Sequence, residues 1–524
     1  MEQTLNNILE RDTIVAVSTA PGIGGIAVVR LSGHDALQIL EKCWRGADLS
    51  KIVSHTAHLG KIIDRNGDAF DEVVITYFKG PKSFTGEDVV EISCHGSRWI
   101  QREIVNLLIG HGARPASPGE YTQRAFINGR LDLAQAEGVI DLISSSSRAA
   151  HRLAMQQTSG RFSGYLGTLR EQLIDLASLL ELELDFSEED VEFADREKLR
   201  NITADTLATL RKLAKSYATG KVLKEGIPVV IAGAPNAGKS TLLNALLDED
   251  KAIVSDIPGT TRDVIEDTAE IDGVLFRFAD TAGLREASDA IEKIGIERAE
   301  ERLRKARIVL WLVDVSDPQF KNEIDRIKVR IAALLDAKHI LLLNKTDLAT
   351  GSDTCSQSAV MGSDTCSQVS ELDCVGTFAC KRNQNEGKIN EDFASVISIS
   401  AAKGEGIEKL KETMVKEGYG DYNPENDIML TNGRHYAAIL NGIAALQRVA
   451  AALTPSADPT ELSQADSDLS SGKINMYQDD YIGLSADLIA QDVREALHHL
   501  SLLTGTISTP DLLTTIFSRF CIGK

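Results

Sequence analysis

Over the first 120 or so positions, apolar runs alternate with turn signals: Gly25 to Leu31, Glu72 to Phe78 behind an Asn66-Gly67 turn, and Asp88 to Ser93, with helical patches between. That alternation predicts a small α+β domain. From Leu131 to about Thr219 the period lengthens, with Leu173, Ile174, Leu176, Leu179 and Leu180 at helical spacings, which predicts long helices. Between Pro228 and Ser400 strands and helices alternate, the pattern of a doubly wound, mostly parallel sheet with helices on both faces. The helical period returns in Leu440, Ile443, Leu446 and Val449, and again in Leu484, Leu488, Leu497 and Leu500. Neither helical half alone would bury its apolar stripe well, so the reading is one helical domain interrupted by an inserted α/β domain. The boundaries so read are 1–125, 126–224, 225–417 and 418–524.

Composition changes this picture little. A chain of 524 residues calls for two to four domains, and 43% hydrophobic with 25% charged residues is ordinary for a globular protein. The formal net charge of -21 argues against broad adhesion to nucleic acid, so any RNA contact must be local or supplied by a partner. Met1 to Arg11 has no apolar stretch behind a basic start, and the strongest apolar run, Ile308 to Val315, is strand-sized. With seven scattered cysteines, these features predict a cytoplasmic protein without a membrane span or disulfide framework. The heptapeptide GSDTCSQ stands at 351–357 and again at 362–368, inside a polar stretch reaching about Asn390 (350–390). Cys355, Cys366, Cys374 and Cys380 form no CxxC pair there, so a surface loop is preferred to a zinc site. Ser456 to Gly472 reads as a similar loop.

The candidate chemistry lies in the alternating region. After the apolar strand Val229 to Ala232 comes GAPNAGKS, Gly233 to Ser240, then Leu242, Leu243 and Leu246 at helical spacing. This is GxxxxGKS in a strand-loop-helix context. Its glycines let backbone N–H groups turn around phosphates, Lys239 is placed for the β and γ oxygens, and Ser240 offers a hydroxyl to Mg²⁺. Asn236, Ala237, Gly238 and Thr241 complete the loop. The base is chosen by Asn344-Lys345-Thr346-Asp347 directly behind the strand Ile340 to Leu343. A carboxylate at Asp347 accepts two hydrogen bonds from guanine, and adenine offers no such paired donor edge. Ser400, Ala401 and Ala402 fit the loop backing the base. Asp280-Thr281-Ala282-Gly283 follows the strand Leu275 to Ala279, with Asp280 toward Mg²⁺ and Gly283 toward the γ-phosphate, and Gly259-Thr260-Thr261-Arg262-Asp263 supplies Thr261 for the metal.

Position 284, where many such switches carry a water-orienting glutamine, is Leu284. Glu286, Asp289 and Glu292 are the carboxylates left to orient water, and Arg262 and Arg285 are candidate cations.

Several stretches together carry a family resemblance: AVSTAPGIGGIAVVRLSG, SFTGEDVVEISCHG, RAFINGRLDLAQAE, GAPNAGKSTLLNAL, GTTRD, DTAGLREASDAIEKIGIERA and the tail Cys521-Ile522-Gly523-Lys524. The chain resembles the tRNA uridine modification GTPase family MnmE, also called TrmE, over nearly its whole length. The resemblance implies a potassium ion in place of an arginine finger, held by Asn236 and by switch I residues Ser255, Ile257 and Thr260 of the loop that also contains Asp256, Pro258 and Gly259. It singles out Glu292 as the water-orienting carboxylate. It implies an N-terminal domain that binds a one-carbon tetrahydrofolate (5-formyl or 5,10-methylene) through Arg30, Glu91, Arg130 and Lys524 and mediates homodimerisation. Cys521, near the folate end, is a candidate nucleophile or a bystander, since the sequence shows no group to activate its thiolate. Ser255 replaces a threonine and Arg130 a lysine of the family pattern. The family works in a heterotetramer with MnmG, an FAD-containing partner, adding an aminomethyl or carboxymethylaminomethyl group to C5 of the wobble uridine of certain tRNAs. A ribosome-assembly GTPase without covalent chemistry, or a GTPase that only drives dimer assembly, would share the nucleotide motifs; the folate-like N-terminal stretch and the CIGK tail favour the modification reading.

Overall fold

The computed structural model describes residues 12–185, 196–247, 267–279, 300–332, 334, 337–348, 393–420, 422–423, 427–453, 486–506, 510–518, 520 and 523. The chain divides into two compact units. One comprises Met1–Ser144, Ala154–Lys215 and Asn432–Lys524, the other Ser145–Leu153 and Ser216–Thr431.

The first unit begins with a seven-stranded sheet: β1 (Ile14–Val17), β2 (Gly24–Ser32), β3 (Trp44–Gly46), β4 (Thr56–Ile63), β5 (Ala69–Phe78), β6 (Val89–Gly96) and β7 (Arg114–Pro115), in the order β3-β4-β5-β6-β2-β1-β7. All its pairings are antiparallel except β1 with β7. Period-two alternation sends Ala27, Val29 and Leu31 to one face and Val28, Arg30 and Ser32 to the other. The first face is closed by α1 (Ala36–Glu41) and α2 (Arg98–Gly110), whose Ile39, Leu40, Ile104 and Leu108 join Val90, Ile92 and Ile75 in one core.

The helices of this unit are α3 (Glu120–Ile127), α4 (Leu133–Ser144), the end of α5 (Arg148–Thr158), α6 (Arg161–Asp185), much of α7 (Arg196–Glu225), α11 (Gly433–Leu453), α12 (Ala486–Thr504) and α13 (Pro510–Phe517). The apolar stripes have the expected period but not quite the expected phase. On α6, Leu173, Leu176 and Leu180 are buried while Ile174 faces out; Leu440 of α11 and Leu488 of α12 are also exposed. The buried stripe of α11 runs through Ala438, Ile439, Ile443, Leu446 and Val449, and α12 packs on both α11 and α6. By length and composition alone α11 could cross a membrane, yet this stripe lies inside the helical core.

A buried charge cluster locks that phase. Glu137 of α4, its side chain 8% exposed, accepts from Arg434 Nε at 3.0 Å and Nη2 at 2.8 Å, and lies 2.7 Å from His435 Nε2. Arg434 also donates to the Leu502 and Leu503 carbonyls, and His435 stacks on Phe162 at 5.2 Å. The cluster thereby joins α4, α6, α11 and α12.

The second unit is a six-stranded sheet ordered β13-β12-β11-β8-β10-β9, built from β8 (Ile227–Gly233), β9 (Asp267–Ile271), β10 (Val274–Ala279), β11 (Ile308–Asp314), β12 (Lys338–Asn344) and β13 (Ser395–Ser398). Every pairing is parallel except that of β9 with β10, which a two-residue Asp272-Gly273 turn joins. Both turn residues have positive φ, 49° and 81°, as a type I′ hairpin needs. Segment 145–153 belongs to this unit because the Ala149 N–H donates to Gly273 O at 2.8 Å. Strand β11 is buried on both faces: Ile308, Leu310 and Leu312 enter the core under α8 (Lys239–Leu247) and α10 (Ile407–Tyr419), and Val309, Trp311 and Val313 enter that under α9 (Phe320–Ile331). This is the doubly wound arrangement that the alternating pattern predicts.

The Glu137 cluster fixes a pH dependence. Burial alone would raise the carboxyl, but bonds from His435 and Arg434 outweigh it and hold it at about 2, below the ordinary 4.5. A depressed carboxyl stabilises the folded form above the unfolded value, an effect lost as pH falls through the folded one. The shift corresponds to about 3 kcal/mol at pH 7. Glu137→Ala, which takes the carboxylate partner from the half-buried Arg434 guanidinium and from the buried His435 ring, is expected to cost about 3 kcal/mol or more and to flatten the fall in melting temperature between about pH 4.5 and 2. Thermal denaturation across that range measures both.

Candidate nucleotide site

The parallel strands β8, β10, β11, β12 and β13 all end on one edge of the second sheet, and the motif loops begin there. In an open α/β sheet this edge is where ligands bind. Gly233 closes β8 against Leu312 of β11, with no room there for a Cβ between the strands. The chain then turns through Pro235 and Asn236, closed by the Ala237 N–H on Ala234 O at 3.3 Å. Asn236 has φ +62°, the left-handed position that Asn tolerates after proline in such a turn. Gly238, at φ +102°, follows, and a Cβ there would strike the Asn344 side-chain amide. The chain then enters α8 at Lys239, with the exposed Ser240 and Thr241 in its first turn.

Lys239 Nζ donates to Gly233 O at 3.0 Å and Ala234 O at 2.8 Å, so the ammonium is held over the loop. Ala237 is fully buried behind it. The N-terminus of α8 and the inward-turned loop make an anion-accepting corner suited to phosphates.

Asn344, the last residue of β12, is only 2% exposed. Its Nδ2 donates to Ala237 O at 2.7 Å, and its Oδ1 accepts from the Ala401 N–H at 3.0 Å. The amide therefore ties the phosphate loop to the loop after β13, a bridging role that the motif alone does not disclose. Lys345, at φ +62°, turns away from the strand and places Nζ 2.6 Å from Asp314 Oδ2 at the end of β11. Burial would raise the Asp314 carboxyl, but Lys345 and Ser316 outweigh it and lower it. Thr346 Oγ1 donates to Ile399 O at 3.1 Å. Asp347 Oδ1 accepts from the fully buried Ser400 hydroxyl at 2.9 Å, and Lys403 Nζ lies 3.6 Å from Oδ2. Ser400, then Lys403, keep this carboxyl below its ordinary value, so it is ionised at neutral pH. Ala401 is buried and Ala402 exposed beside it.

The structure thus brings together Asn236, Ala237, Gly238, Lys239, Ser240, Thr241, Asn344, Lys345, Thr346, Asp347, Ser400, Ala401 and Ala402 at one edge. Ser255, Asp256, Ile257, Pro258, Gly259, Thr260, Thr261, Asp280, Thr281, Ala282, Gly283 and Glu292 lie outside the described residues, as do Cys521 and Lys524. Asp314, Glu323 and Lys403 also belong to the site. Asp314 could have been read from the acid closing an apolar strand; Glu323 and Lys403 leave no sequence signal.

In the first unit Arg30 and Glu91 are cross-strand partners on β2 and β6, with Nη2 to Oε1 at 2.7 Å and Nε to Oε1 at 3.0 Å. Phe84 and Tyr121 rings lie 5.5 and 5.7 Å from the guanidinium, and the Tyr121 hydroxyl donates to Arg30 O. Arg130 is exposed and lies against Gly86 of the adjoining loop. From the far end of the chain, Gly523 O accepts from the Ser18 hydroxyl at 3.1 Å, bringing the tail to the end of β1.

A doubly wound sheet with this phosphate loop and an ionised Asp347 behind the NKxD strand defines a P-loop GTPase. Two family models place the chain more narrowly: that of the GTP-binding protein TrmE N-terminus matches residues 13–130, and that of the MnmE helical domain matches residues 133–521. The chain is 45% identical to the tRNA modification GTPase MnmE of Cytophaga hutchinsonii over 98% of both chains. It is 42% identical to that of Flavobacterium johnsoniae over 99% of this chain and the whole of the relative. The chain belongs to the MnmE family of tRNA modification GTPases, and is a GTP-binding enzyme that takes part in tRNA modification.

Asn344→Ala removes the tie between the two loops and leaves buried Ala237 O and Ala401 N without it. A loss of about 2 to 3 kcal/mol in stability is expected, together with weakened affinity for GTP and GDP alike. Denaturation and nucleotide titration of the same variant measure the two effects.

Proposed function

We propose that the chain is a potassium-activated GTPase that, with an FAD-containing partner, adds an aminomethyl or carboxymethylaminomethyl group to C5 of the wobble uridine of certain tRNAs. The observation that carries the GTPase half is the Asn344 tie, which holds phosphate loop and base loop at one strand edge with Asp347 ionised between Ser400 and Lys403. In this reading Asp347 accepts the paired donors of guanine, Lys239 and the loop N–H groups hold the phosphates, and Ser240 and Thr261 are the ligands for Mg²⁺, with Asp280 reaching it through water. The exposed Ser240 hydroxyl at the start of α8 fits that role. Asn236, Ser255, Ile257 and Thr260 are the candidate potassium ligands; the left-handed turn at Asn236 is consistent with a side chain presented beside the phosphates. A monovalent cation there supplies charge at the β,γ-bridge, and Glu292 orients the attacking water.

The Arg30–Glu91 pair, with the Phe84 and Tyr121 rings and the tail at Ser18, supports a folate-type ligand in the first unit. A pterin offers the flat face and paired donors and acceptors that such a set recognises. Arg130, Lys524 and Cys521 complete that proposal, with 5-formyl- or 5,10-methylene-tetrahydrofolate as the one-carbon source. We further propose a cytoplasmic homodimer that joins MnmG in a heterotetramer, with the domain boundaries given above.

GTPase rates in potassium and sodium at equal ionic strength test the cation. Potassium is expected to raise turnover at least about tenfold; equal rates would return the role to Arg262 or Arg285. Glu292→Ala is expected to bind GTP within about twofold of the parent and to lose about a hundredfold or more in turnover. Unchanged turnover would move water positioning to Glu286 or Asp289.

A further inference from the structure

We propose that Glu323 is a positioning residue for Lys239, acting through a single peptide group of the phosphate loop. The Ala234 N–H donates to Glu323 Oε1 at 3.0 Å across 89 residues of sequence. The carbonyl of that same peptide is Gly233 O, which accepts from Lys239 Nζ at 3.0 Å. Carboxylate, peptide and ammonium therefore form one line of hydrogen bonds, and the next carbonyl, Ala234 O, takes a second bond from Lys239 at 2.8 Å.

Each link has a physical consequence. A carboxylate on the N–H side polarises a peptide and makes its oxygen a stronger acceptor, because hydrogen bonds in a chain reinforce one another. The lysine stem is flexible and its ammonium has no preferred direction of its own, so a strengthened, fixed acceptor decides where the charge stands. Glu323 lies in the first turn of α9, where an acid also suits the helix dipole. The dipole alone would be served by a side chain lying over its own helix; this one reaches out to another loop instead. The bond also commits the Ala234 N–H to protein, so the N–H donors left to phosphate come from further along the loop.

The inference rests on Lys239 being a phosphate ligand. Its test is a double-mutant cycle in the full chain, read as the dissociation constants of GDP and GTP. Lys239→Ala alone is expected to weaken both nucleotides; unchanged affinity there would overturn the lysine's phosphate role and this inference with it. Glu323→Ala is expected to weaken both about 5- to 10-fold, and Glu323→Gln, which keeps the acceptor without the charge, about 2- to 3-fold. In the Lys239→Ala background Glu323→Ala is expected to change affinity by less than about twofold, since the group it positions is gone. Equal losses in both backgrounds would show that Glu323 merely shapes the loop, and an unchanged affinity in the single variants would deny it any role; either overturns the proposal. The melting temperature of Glu323→Gln is expected to match the parent, so the Gln variant carries the test if the Ala variant does not fold.

Discussion

A single carboxamide sits where the nucleotide site is assembled. Asn344 is at the last position of a buried parallel strand, opposite Asp314 in register, and has nowhere to send its amide except into the two loops beside it. One side of the amide takes the carbonyl behind the phosphate loop; the other takes an N–H of the loop that backs the base. A buried amide left unpaired would cost free energy, so the two loops can move apart only by breaking both bonds. The tight glycine at 238 follows from the same crowding, since a side chain there would displace the amide. The sheet therefore sets the spacing of the site through a strand end, and the loops inherit it.

Lys345 and Asp347 divide the remaining work of that strand end. The lysine is turned by its left-handed backbone toward Asp314, giving a counter-charge to an acid whose other partner is the neutral Ser316. Asp347 is engaged by a hydroxyl and a more distant ammonium, an arrangement that keeps it charged without closing it into a tight ion pair. The difference matters because a carboxylate locked against a guanidinium would have little capacity left for a base, whereas one steadied by Ser400 retains acceptor positions.

Much of this was legible in the chain because strong local rules agree there. A strand buried on both faces reads as a continuous apolar run, and β11 is such a run; the GxxxxGKS loop announces its glycines and its lysine together. The hairpin of β9 and β10 escaped the reading although Asp272-Gly273 signals it, since Asp267–Ile271 is short and three of its five residues are polar. What the sequence could not disclose is pairing at a distance. Asn344 looks like a base reader because its neighbours are, and only the fold shows its amide spent on two loops. Glu323 looks like any acid in a first helical turn, because its partner lies far away in the chain.

Helical stripes show the same limit from another side. A period of 3.6 fixes that a face exists but leaves its width and phase open by a residue, and Ile174, Leu440 and Leu488 fall just outside the buried arc. Apolar burial alone would tolerate a small rotation of α11, since leucine and isoleucine can exchange places along a broad stripe. Glu137 does not tolerate it. Its two oxygens must meet Arg434 and His435, and Arg434 must in turn reach the carbonyls that end α12, so any rotation that buries Leu440 pulls the guanidinium away from a buried carboxylate. Breaking such a pair costs more than one leucine contributes by burial. The phase of the helical core is thus decided by its few charged residues, with the apolar ones filling the arc that those charges permit.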